Sequence, residues 1–167
     1  SAGSNADGAT RMSAKRYWLM KSEPDAFSWD DLKNSPKKTT CWEGVRNYQA
    51  RNMMRDECKK GDGVLFYHSR TKVPAVVGIA TIVRESYPDH TQFDSKSPYF
   101  DPKSTPEKPR WFMVDVKYKK QLRTPVSLAE IKQTKALGNM VLVNRGRLSV
   151  QPVTEKEWNL ILEMGGI

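Results

Sequence analysis

Residues 61–83 read GDGVLFYHSRTKVPAVVGIATIV, and this stretch decides the fold class. Lys60-Gly61-Asp62-Gly63 is a turn signal. Residues 64–67 and 76–83 follow as strands, rich in β-branched and aromatic side chains. The longest mostly apolar run, 73–83, is broken by Pro74 and Gly78. It falls well short of the roughly 20 apolar residues a membrane span needs, so it reads as strand. Outward from this hairpin, residues 17–20 predict a buried strand that stops at Lys21-Ser22-Glu23-Pro24, because proline has no amide to pair. Residues 111–116 predict another strand, and 140–143 and 148–152 predict further strand or extended pieces. Helix starts are written at Ser28-Trp29-Asp30-Asp31, Ser127-Leu128-Ala129-Glu130 and Thr154-Glu155-Lys156-Glu157, each with an N-cap acceptor and an acid three residues on. Residues 47–57 carry good helix formers, with Ala50, Met53 and Met54 free to face a core. Trp158, Ile161 and Leu162 share one helical face, and Gly165-Gly166 ends that helix. The sum is a mixed α/β fold: a strongly bent sheet or small barrel with short peripheral helices.

Composition sets the class. The 167 residues are 38% hydrophobic and 28% charged, ordinary for a globular protein. At this length one domain burying roughly two-thirds of its unfolded surface is expected. Residues 1–14 are small and polar without periodicity. They read as a disordered leader or expression remnant, leaving 15–167 as the single domain. They also lack an apolar signal core, so an intracellular protein is expected, with no membrane partner. Cys41 and Cys58 have neither metal-ligand spacing nor the number for a disulfide framework. No cofactor and no metal are expected.

Twenty-eight Lys and Arg against nineteen Asp and Glu leave a net charge of +9. Clustered on one face, such an excess favours polyanions, nucleic acid first. The pairs Lys37-Lys38, Lys59-Lys60 and Lys119-Lys120 are scattered, however, and charge by itself names only a partner class. The segment 86–110 holds five of the ten prolines together with Tyr87, Phe93, Tyr99 and Phe100. That is too aromatic for a flexible linker, and an ordered flap packed on the sheet is expected.

Catalytic signatures are thin. His68 follows a strand beside Ser69 without a nucleophile elbow, no glycine-rich phosphate loop occurs, and Asp115 defaults to a surface or salt-bridged role. The segment 41–52 is more suggestive. It sets Trp42, Tyr48, Arg46, Arg51, Asn47 and Asn52 around Gly44. Rings stack on bases, and Asn and Arg bond base edges or phosphates. The same residues also suit a core tryptophan and solvated helix arginines.

Six motifs in order resemble the EVE domain family. They are residues 17–24 (YWLMKSEP), 42–52 (WEGVRNYQARN), 66–69 (FYHS), 87–89 (YPD), 111–116 (WFMVDV) and 148–152 (LSVQP), within about 15–164. Glu43 stands where many members carry Asp. The resemblance implies a PUA-like fold, a bent β-barrel with short peripheral helices. It also implies binding of modified cytosines in DNA, such as 5-methylcytosine, and a similarity to YTH domains, which read a methylated adenine in RNA. By that analogy Lys21, Ser22 and Trp42 line a base pocket. Asn47, Tyr67, His68, Ser149 and Gln151 join them as motif residues able to stack or hydrogen-bond. Arg46, Arg51, Arg145 and Arg147 are the phosphate candidates around its mouth.

The expectation is therefore a nucleic-acid-binding reader of a modified base, monomeric by default and without catalysis. It would be nuclear in a eukaryote and cytoplasmic in a bacterium. The alternatives are an RNA-binding module, an enzyme on a modified nucleotide using His68 or Asp115 for proton transfer, and a small-metabolite pocket.

Overall fold

The structure is a computed structural model that describes residues 14–167. The leader expected over 1–14 lies, Ala14 apart, outside the described residues. The strands are β1 (Tyr17–Ser22), β2 (Thr39–Cys41), β3 (Gly63–His68), β4 (Ala75–Pro88), β5 (Phe112–Ser127) and β6 (Val150–Val153). They form one sheet in the order β2-β5-β4-β3-β1-β6. Pairing is antiparallel throughout except that β1 and β3 run parallel, Tyr17 opposite Gly63 and Ser22 opposite His68. The helices are α1 (Trp29–Lys33), α2 (Tyr48–Asp56), α3 (Leu128–Gln133), α4 (Val141–Asn144) and α5 (Glu155–Met164).

The apolar runs of β1 and β3 follow from burial on both faces. Successive residues alternate between two cores. Trp18, Met20, Val64 and Phe66 pack with Trp29 and Leu32 of α1 and with Ala50 and Met54 of α2. Leu19, Leu65 and Tyr67 pack on the other side, with Ile131 of α3 and Trp158 and Ile161 of α5. At the turn, the Trp18 indole donates to Asp62 (3.0 Å), which also accepts from the Lys59 amide (2.9 Å). The long β4–β5 ladder shifts register at four places, and such irregularities bend a sheet. No ladder joins β2 to β6 among the described residues, so the barrel stays open. Gly78 has a specific duty here. A Cβ on it would come within 2.1 Å of the Trp29 ring, which lies over the sheet and stacks on Tyr118 at 4.4 Å.

Two expectations are corrected. Residues 140–143 are not extended: Val141–Asn144 is a helical turn, with Leu142 buried in the second core. A short apolar run fits either state, and tertiary packing selected helix. The strand expected over 111–116 runs on to Ser127, since the lysine-rich residues 117–121 pair with β4 while their side chains stay largely exposed. The flap is ordered, with a 3-10 turn at His90–Phe93. Buried Gln92 staples it: its amide donates to the carbonyls of Asp89 (2.7 Å) and Trp111 (2.8 Å), and its oxygen accepts from Ser104, Arg110 and Trp111. Among the described residues no helix is long and apolar enough to cross a membrane.

Candidate functional site

Because β1 and β3 are parallel, their C-terminal ends emerge side by side and their following loops share one end of the sheet. A cavity of about 1000 Å³ opens there, walled by these strand ends, residues 41–47, residues 146–149 and the flap. Lys21, Ser22, Trp42, Asn47, Tyr67, Ser149, Arg46 and Arg147 all line it. His68, Gln151, Arg51 and Arg145 do not.

Each wall has its own mechanics. Ser22 donates from its hydroxyl to the Phe27 carbonyl at 2.5 Å, curling the β1–α1 connection over the opening. Lys21 donates from its amide to Ser149 O (2.9 Å) and from its ammonium to Gly146 O, so one residue holds the 146–149 wall twice. Desolvation lowers the Lys21 pKa. Trp42 is only 7% exposed: it meets Phe66 edge-on at 5.5 Å in the first core and presents its remaining surface to the cavity. It is thus both a core residue and a wall residue. Burial pushes the Tyr67 hydroxyl up to about 12, so it stays a neutral donor and acceptor at physiological pH.

The four residues off the wall do other work. His68 Nε2 accepts from the Trp29 amide (3.0 Å), which requires the proton on Nδ1 and ties the end of β3 to the start of α1. Burial lowers its pKa, against a smaller opposing effect of Asp30. Gln151 is fully buried and donates to Leu148 O (2.7 Å) and Arg145 O (3.3 Å), bracing the 146–149 wall from behind. Arg51 donates to Arg110 O (2.7 Å) and to Asn52, and Arg145 to Gln49 (2.7 Å).

Arg46 lines the cavity, but not as a phosphate clamp. Its five N–H groups go to Asp89, Val45 O, Thr91 and, twice, Tyr99 O at 2.7–3.1 Å, which leaves none for a ligand. Asp89 is fully buried and also accepts from the Gly44 amide (2.8 Å) and the Thr91 amide (2.8 Å). Burial pushes the Asp89 carboxyl up, yet hydrogen bonds from Thr91, Gly44 and Arg46 outweigh it and hold the pKa below its ordinary value. This Asp89–Arg46 clamp binds the flap to the 41–47 wall. Asn47, which lines the cavity, uses its side-chain oxygen to cap α2 through the Ala50 amide (2.9 Å). Arg147 makes no hydrogen bond among the described residues.

Sequence reasoning did not reach Arg70 or Tyr99, which also line the cavity. The aromatic content of the flap was the available signal for Tyr99; Arg70 had none. Lys21, Arg46, Arg70 and Arg147 face Glu23 and Glu43 on the walls, so the lining is cationic on balance. The ligand atoms of Cys41, Glu43 and His90 fall within 4.8 Å of one another, a grouping that cysteine spacing does not disclose. Burial and then Glu43 push the Cys41 thiol up, and His90 Nε2 lies 3.5 Å from Glu43 Oε2. Of the two proton-transfer candidates, His68 accepts from Trp29 and Asp115 accepts from the Tyr87 hydroxyl.

The EVE domain family model matches residues 16–164. The chain belongs to the EVE domain family. This EVE domain is 47% identical to human thymocyte nuclear protein 1 over 165 residues, 89% of this chain and 73% of that protein. The human protein, solved in complex with DNA containing 5-methylcytosine, superimposes with a TM-score of 0.88 at 45% identity, covering 92% of this chain and 99% of that one. A hypothetical protein from Leishmania major is 52% identical with a TM-score of 0.86, over 90% of this chain and 94% of that one. The YTH domain of Zygosaccharomyces rouxii MRB1, solved with N6-methyladenosine RNA, shares the fold at a TM-score of 0.54 and 14% identity, over 93% of this chain and 89% of that one. The expected PUA-like class of this EVE domain, with short peripheral helices, is therefore the class observed, its expected bent β-barrel taking the form of an open six-stranded sheet.

Proposed function

We propose that this EVE domain reads a modified base, a modified cytosine in DNA, by taking it into the cavity at the shared ends of β1 and β3. The supporting observation is that cavity: Trp42 and Tyr67 offer aromatic surface, with Lys21, Ser22, Asn47 and Ser149 beside them, in a fold whose human relative was solved with 5-methylcytosine DNA. In a duplex the base must leave the stack, at a cost of a few kcal/mol. Stacking on aromatic side chains returns about 1–3 kcal/mol, and hydrogen bonds to the base edge the rest. A methyl group in an apolar niche adds only about 0.8 kcal/mol, so discrimination for one methyl is modest. Arg147 and Arg70 supply salt-dependent attraction to phosphates at the mouth. The reading needs no chemistry on the base, and in a eukaryote it puts the protein in the nucleus.

The test is a titration at fixed salt with matched oligonucleotides carrying cytosine, 5-methylcytosine, 5-hydroxymethylcytosine or N6-methyladenine, each as DNA and RNA. A tenfold preference for one modified DNA ligand, about 1.4 kcal/mol, is expected. Equal, salt-sensitive binding to all would reduce the proposal to a basic surface, and an RNA preference would move it to the RNA-reading class. Trp42→Leu keeps apolar bulk in the core but removes the ring. Preference surviving in folded Trp42→Leu protein would put the pocket elsewhere.

A further inference from the structure

Among the described residues the large hydrophobic side chains classed as exposed are Tyr48, Val73, Tyr99 and Phe100, and all but Val73 belong to α2 or the flap beside the cavity. They are part of an ordered column. The Tyr99 ring lies so close to Gly44 that a Cβ there would stand 2.7 Å from it. The Arg46 guanidinium comes next, 5.5 Å from the centre of Tyr99 and 5.2 Å from that of Trp111. Trp111 is fixed by its indole N–H to Asp101 (2.8 Å) and stacks on Tyr48 with centroids 4.8 Å apart and planes 25° off parallel. The column begins at a cavity wall, since Tyr99 and Arg46 both line it, and ends at Tyr48, the residue after the cavity-lining Asn47.

The far end is open. The Arg51 guanidinium is 4.7 Å from the Tyr48 ring and 5.9 Å from that of Trp111. On the outward face of Tyr48 it would stand near twice the ring spacing from Trp111, so it sits beside the pair rather than across its end. Tyr48 is accordingly 51% exposed while one of its faces is fully engaged. The flap does not need that exposed ring to stay in place, because Gln92 and Asp89 already tie it down.

We propose that the outward face of Tyr48 is a second nucleobase site, which stacks the nucleotide next to the one held in the cavity; this rests on the reading of the cavity given above. A flat aromatic face suits any base, because every base has a π face and stacking is tolerant of sequence. Arg51 beside the ring retains N–H groups beyond those bonded to Asn52 and Arg110, placed for the intervening phosphate. The occupant is an unstacked neighbour, so the site favours single-stranded or locally opened nucleic acid.

The test scans 2-aminopurine, whose emission is quenched by stacking, through the positions flanking 5-methylcytosine in a single-stranded DNA oligonucleotide bound to the full chain. Quenching confined to one immediate neighbour is expected, lost in Tyr48→Ala and kept in Tyr48→Phe. Replacing that neighbour by an abasic site should weaken binding about tenfold in the wild type and leave Tyr48→Ala unaffected. The preference for 5-methylcytosine over cytosine should persist in Tyr48→Ala. Quenching unchanged in Tyr48→Ala, or at no fixed distance from the 5-methylcytosine, overturns the proposal. A wild type without the methylcytosine preference overturns the cavity reading itself, and the second site with it.

Discussion

Two walls of the same cavity are held in opposite ways. The 41–47 wall is clamped from outside: buried Asp89 bonds the Gly44 amide and Arg46, and Arg46 directs every N–H it has into the protein. The 146–149 wall is held at its base by Lys21 and Gln151, and its exposed Arg147 makes no hydrogen bond among the described residues. Both walls carry an arginine, and the residue type says nothing about which one is available to a ligand. The clamped wall offers shape, presenting Trp42 in one orientation. The other offers charge.

The sharpest way to break this contrast is Asp89→Ala. It leaves Arg46 and the Gly44 amide without their buried acceptor, and about 3 kcal/mol of stability should be lost. Urea unfolding measures it; a loss under 1 kcal/mol would mean that the clamp does not hold the wall. Gly44→Ala comes next. Gly44 has φ +83°, where a Cβ is strained, and that Cβ would collide with Tyr99. About 1–3 kcal/mol is expected, with weakened binding even where the protein remains folded.

A smaller effect separates structural polar groups from ligand-facing ones through pH. Burial depresses the His68 pKa in the folded state, so the unfolded chain binds the proton more readily. The stabilisation from neutral His68 is complete above the unfolded value near 6.5 and is lost as pH falls from there toward the folded pKa. His68→Gln supplies an acceptor to the Trp29 amide without titrating. Its stability should change less than that of the wild type between pH 7 and 5, and parallel curves would sink the assignment. The smallest stability change belongs to Arg147→Gln, within about 0.5 kcal/mol. Its effect should appear in binding instead, as a uniform loss across ligands and a salt slope shallower by about 0.9 for one phosphate contact. An unchanged slope would remove Arg147 from the interface.

Much of the fold was legible in order. The β-branched and aromatic runs at 64–67 and 76–83, Pro24 just past the first strand and the three capping boxes state local preferences, and each became an element or a boundary near its expected place. Legibility failed where local preference was weak or misleading. Residues 141–144 are apolar enough for either state, and the strand expected over 111–116 stopped short of the lysines of 117–120, although the backbone beneath them pairs. Within the cavity, motif membership brought seven residues to one wall or another, with Arg147 outside the motifs, but the motif residues His68 and Gln151 are not on the walls. Both have the right chemistry and face inward.

What the sequence determined by itself is most of the elements, the family and the motif residues of a site, because these rest on neighbours along the chain. The tertiary structure decided which polar groups remain available. Arg46 meets Asp89 forty-three residues on, Lys21 meets Gly146 after 125, and the column from Tyr99 to Tyr48 joins the flap to α2. A hydrogen bond or a ring face is used up by whatever comes within a few ångströms. Distance along the chain carries no information about that.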